Sequence, residues 1–138
     1  MMKDQTLILI KPDAVKKGLI GTILSRFEDK GFKITKLKMM RLSNEDAKRF
    51  YDIHMGKPFF NDLVSFITSG PIVAAMIEGK NAQETIRRMI GPTNPKDAPK
   101  GTIRGDFATS ITENAIHASD SPESLLKEYK VIFGSDHD

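Results

Sequence analysis

The sequence predicts an α+β fold: a small, four-stranded antiparallel sheet with its helices on one face. Two observations lead to this prediction. Apolar runs of strand length alternate with segments whose apolar residues recur at helical spacing. The 138 residues suit one compact domain, so the sheet must be small. Because no internal repeat or linker interrupts the chain, we treat residues 1–138 as a single domain.

Four apolar runs predict the strands. Residues 6–10 form an uninterrupted apolar run typical of a buried strand. Residues 33–42 mix lysines with apolar residues, which indicates a strand of mixed exposure. Residues 72–78 predict a central strand, and residues 131–133 a short closing strand. No other segment is assigned to the sheet.

Helical spacing and capping residues predict two helices in the first half of the chain. Ile20, Ile23 and Phe27 recur at helical spacing, and Gly31 suits the end of that helix. Ser43 begins the next helix, with Asp46 as its capping-box partner. The face predicted to pack inwards carries Ala47, Phe50, Tyr51 and His54.

Three further helices complete the order. Pro58 begins one that ends at Gly70, and Asn81 caps another that ends at Gly91. The Ser-Pro pair at 121–122 begins the last long helix. The order β-α-β-α-α-β-α-loop-α-β fits a ferredoxin-like, split βαβ arrangement with a long loop over residues 91–105.

Composition excludes several kinds of site. The absence of cysteine excludes disulfides, thiolate metal sites and cysteine nucleophiles. The histidines, at 54, 117 and 137, are too few and too scattered for a familiar zinc site. No apolar run approaches the ~20 residues of a membrane-spanning helix, so we expect no membrane association and a cytoplasmic location. The net charge of +3 suits either a nucleic acid or a compact anionic ligand.

Nucleotide-binding glycine loops are missing from the sequence. It contains neither G-x-x-x-x-G-K-[S/T] nor G-x-G-x-x-G, and it lacks the protein-kinase signature set. A nucleotide site in this chain must therefore hold phosphates with side chains. The long irregular segment 91–105 carries Thr93, Lys96, Lys100 and Arg104, and loops of this length are often functional.

The segment around His117 is the strongest candidate for chemistry. A lone histidine is more often structural than catalytic, but small residues here leave room for a ligand. Ser119 and Asp120 supply polar groups beside it, and Glu128 lies where a helix returns its carboxylate to the imidazole. A carboxylate on one ring nitrogen fixes the tautomer and leaves the other nitrogen with a free lone pair.

Histidine chemistry favours reversible phosphoryl transfer. Imidazole has an ordinary pKa of ~6.5, so its nucleophilic form dominates at neutral pH. The transition state spreads negative charge over the equatorial oxygens. Positioned cations stabilise that charge, and Lys11, Arg87 and Arg104 are the candidates.

Several blocks of sequence resemble the nucleoside diphosphate kinases. N-A-I-H-A-S-D-S at 114–121 resembles the family's signature. Five further blocks are similar to the family in order and spacing: 6–15, 54–60, 69–79, 91–95 and 101–108. The resemblance implies transfer of the γ-phosphate from a nucleoside triphosphate to a nucleoside diphosphate, by a ping-pong route through a phosphohistidine. It also implies Mg²⁺ on the phosphates and a homo-oligomer, a tetramer or hexamer built from dimers.

Roles for single residues follow from the resemblance by position. It implies that His117 is the nucleophile, oriented by Glu128 with help from Ser119. Tyr51 is then expected close to the histidine. Two departures from the family pattern are Ala118, where many members have glycine, and Ala115, where a larger aliphatic residue is common. Because every polar residue of the motif is present, we expect activity.

The nucleotide contacts are implied in the same way. Lys11 and Asn114 bond the sugar hydroxyls, and Lys11 also reaches the transferred phosphate. Phe59 and Ile111 sandwich the base, and a slot of this kind accepts any base because every base has a π-face. The residues implied to hold the phosphates are His54, Arg87, Thr93 and Arg104.

Plainer interpretations exist for several of these residues. Without the resemblance, Lys11 is equally well a solvated strand end. His54 suits the end of a helix, and Thr93 suits the cap of a turn. Phe59 and its neighbour Phe60 are core residues by default, and only one of them can stack on a base while the other faces inwards.

Two other functions compete with a kinase. A nucleic-acid-binding domain on a similar sheet needs paired aromatics on its central strands, and the predicted central strands contain none. A regulatory protein that has lost turnover is the second rival. The presence of His117, Lys11 and Arg104 argues against it.

Overall fold

The computed structural model describes residues 4–134; His137 therefore lies outside the described residues. The strands are β1 (Gln5–Ile10), β2 (Lys33–Met40), β3 (Ile72–Glu78) and β4 (Ile116–Ala118). The helices are α1 (Pro12–Lys16), α2 (Ile20–Asp29), α3 (Asn44–Phe50), α4 (Phe60–Ile67), α5 (Ala82–Ile90), α6 (Ile103–Phe107) and α7 (Pro122–Phe133). Two 3-10 turns cover Asp52–His54 and Pro95–Asp97.

The four strands form one antiparallel sheet in the order β2-β3-β1-β4. Leu9 of β1 pairs with Ala74 of β3 on one side and with His117 of β4 on the other. The pairing of β2 with β3 is interrupted by an irregularity between Ile34 and Lys36. The predicted α+β class and four-stranded antiparallel sheet are confirmed.

Helices cover both faces of the sheet, so the prediction that they lie on one face is wrong. Ile8 and Ile10 of β1 pack with Ile23 of α2 and Ile86 of α5. The alternate β1 residues pack on the other face against α3, α4 and α7: Leu7 and Leu9 contact the cluster of Phe50, Val64 and Leu125. The reason is visible in the sequence, because an apolar run without polar alternation must be covered on both sides.

The closing strand predicted at residues 131–133 is also wrong. These residues form the last turn of α7, and Ile132 and Phe133 pack in the same core cluster as Leu125, about two helical turns away. A three-residue apolar run does not distinguish a strand from a helix end. The fourth strand is instead β4, which sequence analysis missed because a histidine occupies the middle of only three residues.

Serine hydroxyls cap the two helices predicted to begin at Ser43 and at Ser121, whereas the predicted cap at Asn81 does not form. The Ser43 hydroxyl accepts a hydrogen bond from the Asp46 N–H, and the Ser121 hydroxyl accepts one from the Ser124 N–H. Asn81 precedes α5, but it has a left-handed backbone, with φ 54°, and its side chain makes no capping bond. Its use at this position follows from asparagine's tolerance of positive φ.

Helix boundaries around the third and fourth helices also differ from prediction. The first of them, α3, ends at Phe50, and His54 lies on a separate 3-10 turn. The next, α4, begins at Phe60 rather than at Pro58. The long segment 91–105 is not wholly irregular, because it contains a 3-10 turn and the start of α6. Within residues 4–134 no helix is long and apolar enough to cross a bilayer, and the cytoplasmic location stays a prediction.

Candidate active site

A cleft of about 400 Å³ gathers most of the residues singled out in the sequence. It lies at the edge of the sheet where β4 pairs with β1. The predicted residues that line it are Lys11, Tyr51, His54, Phe59, Arg87, Thr93, Arg104, Ile111, Asn114 and His117. Ser119 and Glu128 are buried and contact the cleft through His117.

One carboxylate oxygen positions the candidate nucleophile. Nε2 of His117 lies 2.8 Å from Oε1 of Glu128. The Ser119 hydroxyl donates to the same oxygen at 2.7 Å. Glu128 and Ser119 are both buried, whereas 23% of the His117 side chain is exposed. Because Nε2 faces the carboxylate, Nδ1 is the ring nitrogen left for a ligand.

Aromatic side chains pack around the imidazole. The Phe50 ring meets the His117 ring edge-on, with centroids 5.0 Å apart. Tyr51 packs edge-on against Phe50 and tilts towards His54. Burial, with the charge of Glu128, raises the pKa of the Tyr51 phenol, so this group keeps its proton at neutral pH. Sequence analysis placed Phe50 on the buried helix face but gave it no part in the site.

A buried lysine and an asparagine form the inner end of the cleft. Lys11 is only 5% exposed, and its ammonium donates to Oδ1 of Asn114 at 2.7 Å. The Asn114 amide in turn donates to the carbonyl of Thr93 at 3.3 Å. Burial, reinforced by the charge of Arg104, lowers the pKa of Lys11 to about 8. The interpretation of Lys11 as a solvated strand end is therefore wrong.

Arg104 is fixed by backbone carbonyls. Its two terminal nitrogens donate to the carbonyls of Gly91 and Ile116, both at 2.8 Å. Burial, followed by the nearby charge of Arg87, lowers the pKa of Arg104 to about 10. The charge of Arg104 thus disfavours the charged form of Lys11, and the charge of Arg87 disfavours that of Arg104. An anion bound among them relieves that repulsion.

Two further ionisable groups that line the cleft, His54 and Asp120, also have lowered pKa values. Partial burial and the nearby cations Lys57 and Lys127 lower the pKa of His54. A hydrogen bond from Ser124, helped by the charge of Arg87, lowers the pKa of Asp120, which stays a carboxylate. Asp120 is the only acidic side chain among the described residues lining the cleft.

An apolar slot lies at the mouth of the cleft. Phe59 is 45% exposed, whereas its neighbour Phe60 is 8% exposed and belongs to the core. Ile111 is exposed and, together with Leu63, lines the same cleft. Leu63 was not predicted as a site residue, because its helical spacing marks it as a packing residue. Apolar side chains exposed at a cleft are suited to stack on a flat ring.

The backbone just before the histidine adopts an unusual conformation. Ala115 has φ 74°, and the Ile116 N–H donates to the Asn114 carbonyl at 2.9 Å across it. This is a γ-turn with positive φ, which is rare and strained for a residue with a side chain. Sequence analysis noted Ala115 for its small size but had no signal for this conformation.

Comparisons with known proteins agree on one family. A family model described as nucleoside diphosphate kinase matches residues 4–137. A nucleoside diphosphate kinase of Staphylothermus marinus is 57% identical over 136 residues, which cover 99% of this chain and 96% of that protein. A crystal structure of the Aquifex aeolicus nucleoside diphosphate kinase superposes with a TM-score of 0.91 at 47% identity, covering 96% of each chain. One from Encephalitozoon cuniculi superposes with a TM-score of 0.93 at 40% identity, covering 98% of this chain and 92% of that one.

Proposed function

Because this chain belongs to the nucleoside diphosphate kinase family, we propose that His117 carries the phosphoryl group in that family's reaction. The enzyme transfers the γ-phosphate of a nucleoside triphosphate to a nucleoside diphosphate. The observation that supports His117 is its bond to Glu128 at 2.8 Å beside a cleft lined by cations. Glu128 and Ser119 are positioning residues, since both act through the imidazole.

The transfer proceeds in two balanced steps. The Nδ1 lone pair of His117 attacks the γ-phosphorus, and the bond from that phosphorus to the β,γ-bridging oxygen breaks. The bridging oxygen takes the electron pair and leaves with the nucleoside diphosphate. No proton has to move, because the proton on Nε2 is shared with the Glu128 carboxylate, which stabilises the positive phospho-imidazole. A terminal oxygen of a second nucleoside diphosphate then attacks the phosphorus and returns the lone pair to Nδ1.

Positive charge and hydrogen bonds position the phosphates. In the proposed reaction, Arg87 and Arg104 stabilise the charge on the equatorial oxygens, and the Lys11 ammonium binds the transferred phosphate. The presence of all three side chains in the lining of the cleft supports these roles. The polar residues at the rim that complete this set are His54 and Thr93. The closeness of the cations supports the proposal: besides burial, the charge of Arg104 lowers the pKa of Lys11 and the charge of Arg87 lowers the pKa of Arg104, and a bound anion relieves this repulsion.

The sugar and base are held by different chemistry. Asn114 and Lys11 present hydrogen-bonding groups to the sugar hydroxyls at the inner end of the cleft. Phe59 and Ile111 lie at its apolar mouth and hold the base by stacking. Stacking without hydrogen bonds to the base edges gives broad specificity for the base.

Magnesium fits this site mainly through the nucleotide. Within residues 4–134 no group of three or more His, Cys, Asp or Glu side chains is arranged to hold a metal. Mg²⁺ prefers oxygen ligands and keeps several waters, so phosphate oxygens suffice as its main ligands. Asp120 is the carboxylate placed to contribute from the protein. When bound, the ion supplies positive charge to the phosphates.

A homo-oligomer built from dimers is the proposed assembly. The strand β2 is an edge of the sheet, and Leu37 and Met39 on it are each 58% exposed. Beside them, β2 and α2 border a groove lined by Gly21 and Leu24. An exposed edge strand with apolar side chains favours pairing with a second copy. The mass measured by light scattering distinguishes a tetramer from a hexamer.

Labelling with γ-³²P-ATP tests the role of His117. We expect the enzyme to form an acid-labile, base-stable phosphoprotein that is discharged by several different nucleoside diphosphates. His117→Ala is expected to abolish the label while the circular dichroism spectrum stays unchanged. His54→Ala is the matched control, a histidine in the same cleft that is expected to keep the label. A His117→Ala variant that retains normal turnover would contradict the proposal.

A further inference from the structure

We propose that Asp13 is a positioning residue for phosphoryl transfer: its carboxylate holds the strained turn at Ala115 and thereby orients the strand that carries His117. This inference rests on the proposed role of His117. Asp13 does not line the cleft, and its carboxylate hydrogen-bonds to the Ala115 N–H. Its charge also partly offsets the lowering of the Lys11 pKa by burial and by Arg104. Asp13→Asn removes that charge but keeps an oxygen acceptor, so it separates the charge effect from the effect through the backbone.

Both backbone polar groups of Ala115 are bound to the segment that follows β1. The Ala115 N–H donates to Oδ2 of Asp13 at 3.1 Å. The Ala115 carbonyl accepts from the Lys11 N–H at 2.9 Å. Asp13 is 7% exposed, so water has little access to replace the bond that it makes. The carboxylate therefore fixes the orientation of the peptide that enters Ala115.

The conformation held in this way is one that alanine disfavours. At φ 74° the Cβ of Ala115 crowds the backbone, so the turn persists only where surrounding bonds impose it. A hydrogen bond between a carboxylate and a backbone N–H is among the stronger bonds available for this. In Asp13→Ala the side chain is reduced to a methyl group, so the Ala115 N–H loses its acceptor. The turn then relaxes towards negative φ.

The turn controls two parts of the site. Immediately before it, Asn114 meets the Lys11 ammonium, and immediately after it, β4 pairs with β1 so that His117 faces Leu9. Relaxation at Ala115 therefore moves the imidazole relative to Glu128 and to the cations. A displacement of about 1 Å is enough to lower a rate by roughly a hundredfold.

Rapid-quench phosphorylation with γ-³²P-ATP at saturating concentration tests the proposal. Asp13→Ala is expected to lower the rate constant for phosphohistidine formation by roughly ten- to hundredfold. Asp13→Asn keeps an oxygen acceptor and is expected to stay close to the unchanged enzyme. A loss of folded protein lowers the amplitude of the burst, not its rate constant, so the two effects separate.

Glycine at 115 supplies the decisive comparison. Glycine adopts positive φ without strain, so Ala115→Gly in the Asp13→Ala background is expected to restore most of the lost rate. Ile67→Val, a change in the core cluster on the other face of the sheet from Ala115, is the control for lowered stability and is expected to leave the rate constant unchanged. Asp13→Ser replaces Asp13→Ala if the latter cannot be purified, because serine is too short to reach the Ala115 N–H.

Three results would overturn the inference. The first is an unchanged rate constant in Asp13→Ala, or in Asp13→Ser where that variant replaces it. The second is a rate constant for Asp13→Asn as low as that for Asp13→Ala. The third is no recovery of the rate constant when Ala115→Gly is added to Asp13→Ala. If the unchanged enzyme forms no phosphohistidine, the proposed role of His117 fails instead. A normal label in the unchanged enzyme, with any of the three results above, rejects the role of Asp13 alone.

Discussion

At the scale of single residues, the orientation of His117 depends on one oxygen of Glu128 that accepts two hydrogen bonds. The hydroxyl of Ser119 is one donor and the imidazole the other. The buried Ser119 hydroxyl gives the carboxylate a fixed partner. We therefore expect the serine to contribute to the reaction although it does not line the cleft.

Removal of that hydroxyl is expected to slow phosphorylation. Ser119→Ala loses a hydrogen bond to a charged group worth about 1.5–3 kcal/mol, part of which restrains the carboxylate. We therefore expect a fall of about tenfold in the single-turnover rate, with little change in nucleotide affinity. Ser121→Ala is the control: it removes the cap of α7 and is expected to lower stability by about 1 kcal/mol without changing the rate. Equal rates for Ser119→Ala and the unchanged enzyme would contradict this prediction.

The lowered pKa of Lys11 predicts proton uptake on nucleotide binding. Well below pH 8 the lysine is charged in both the free and the bound enzyme, and almost no proton is taken up. Above its free-enzyme pKa of about 8, the free lysine is neutral. The phosphates favour the charged form, so binding draws a proton from solvent and affinity falls as pH rises.

Calorimetry in buffers of different ionisation enthalpy measures that uptake. At about pH 9 the binding enthalpy of ADP is expected to depend on the buffer, and at about pH 7 the Lys11 contribution is expected to vanish. Lys11→Arg is the control, because arginine stays charged in proteins. Buffer-independent enthalpies at about pH 9 for the unchanged enzyme would refute the prediction.

At the scale of elements, α2 holds the short helix that carries Arg104. Arg26 of α2 pairs with Asp106 of α6 at 2.7 Å and lies over the Phe107 ring at 4.7 Å. It also reaches the carbonyl of Gly101. These contacts join α6 to a helix of the main core, although none of them lies in the cleft.

Loss of this connection is expected to weaken nucleotide binding. In Arg26→Met the segment 101–107 loses its ion pair, so we expect faster hydrogen exchange there and nucleotide affinity lower by about threefold to tenfold. The stability change is expected to be about 1 kcal/mol, since the pair is partly exposed. Arg88→Met is the matched control, because its ion pair with Glu84 is largely exposed on α5 and its loss is expected to change neither quantity. Unchanged exchange and affinity in Arg26→Met would rule out this role.

The elements also show where sequence patterns are sufficient. The central strands and most helices were predicted because each has a long apolar periodicity or a strong cap, as at Ser43. The elements that were missed or wrongly assigned are short segments. The strand β4 has three residues, and the last turn of α7 was mistaken for a strand, because so few residues do not distinguish the two periods.

At the scale of the whole molecule, the edge strand β2 determines the proposed assembly. Its exposed Leu37 and Met39 lie beside the α2 groove, on a surface that a second copy would cover. Lysine at both positions places charge on that surface, and charges on an edge strand oppose pairing.

The variant with both Leu37→Lys and Met39→Lys is expected to reduce the mass measured by light scattering. If stability is coupled to assembly, the melting temperature of the unchanged enzyme also rises with protein concentration. Ile53→Lys, at another exposed apolar residue, is the control and is expected to leave the mass unchanged. An unaltered mass for the β2 variant would place the interface elsewhere.

The sequence by itself determined the fold class, the family and most of the residues that line the cleft. Apolar periodicity is a local property, and the polar motifs stand in order along the chain, so both are visible without coordinates. The function that the resemblance implied is confirmed by the comparisons. The individual roles of His117 and its neighbours stay predictions.

Only the tertiary structure decided which groups meet across the chain. It placed Glu128 and Ser119 on the same side of the imidazole, buried Lys11 against Asn114, and covered both faces of the sheet. It also bound the Asp13 carboxylate to the left-handed turn at Ala115, 102 residues along the chain. The physical reason is that hydrogen bonds, desolvation and strain arise between residues distant in sequence, and no local pattern records their distances.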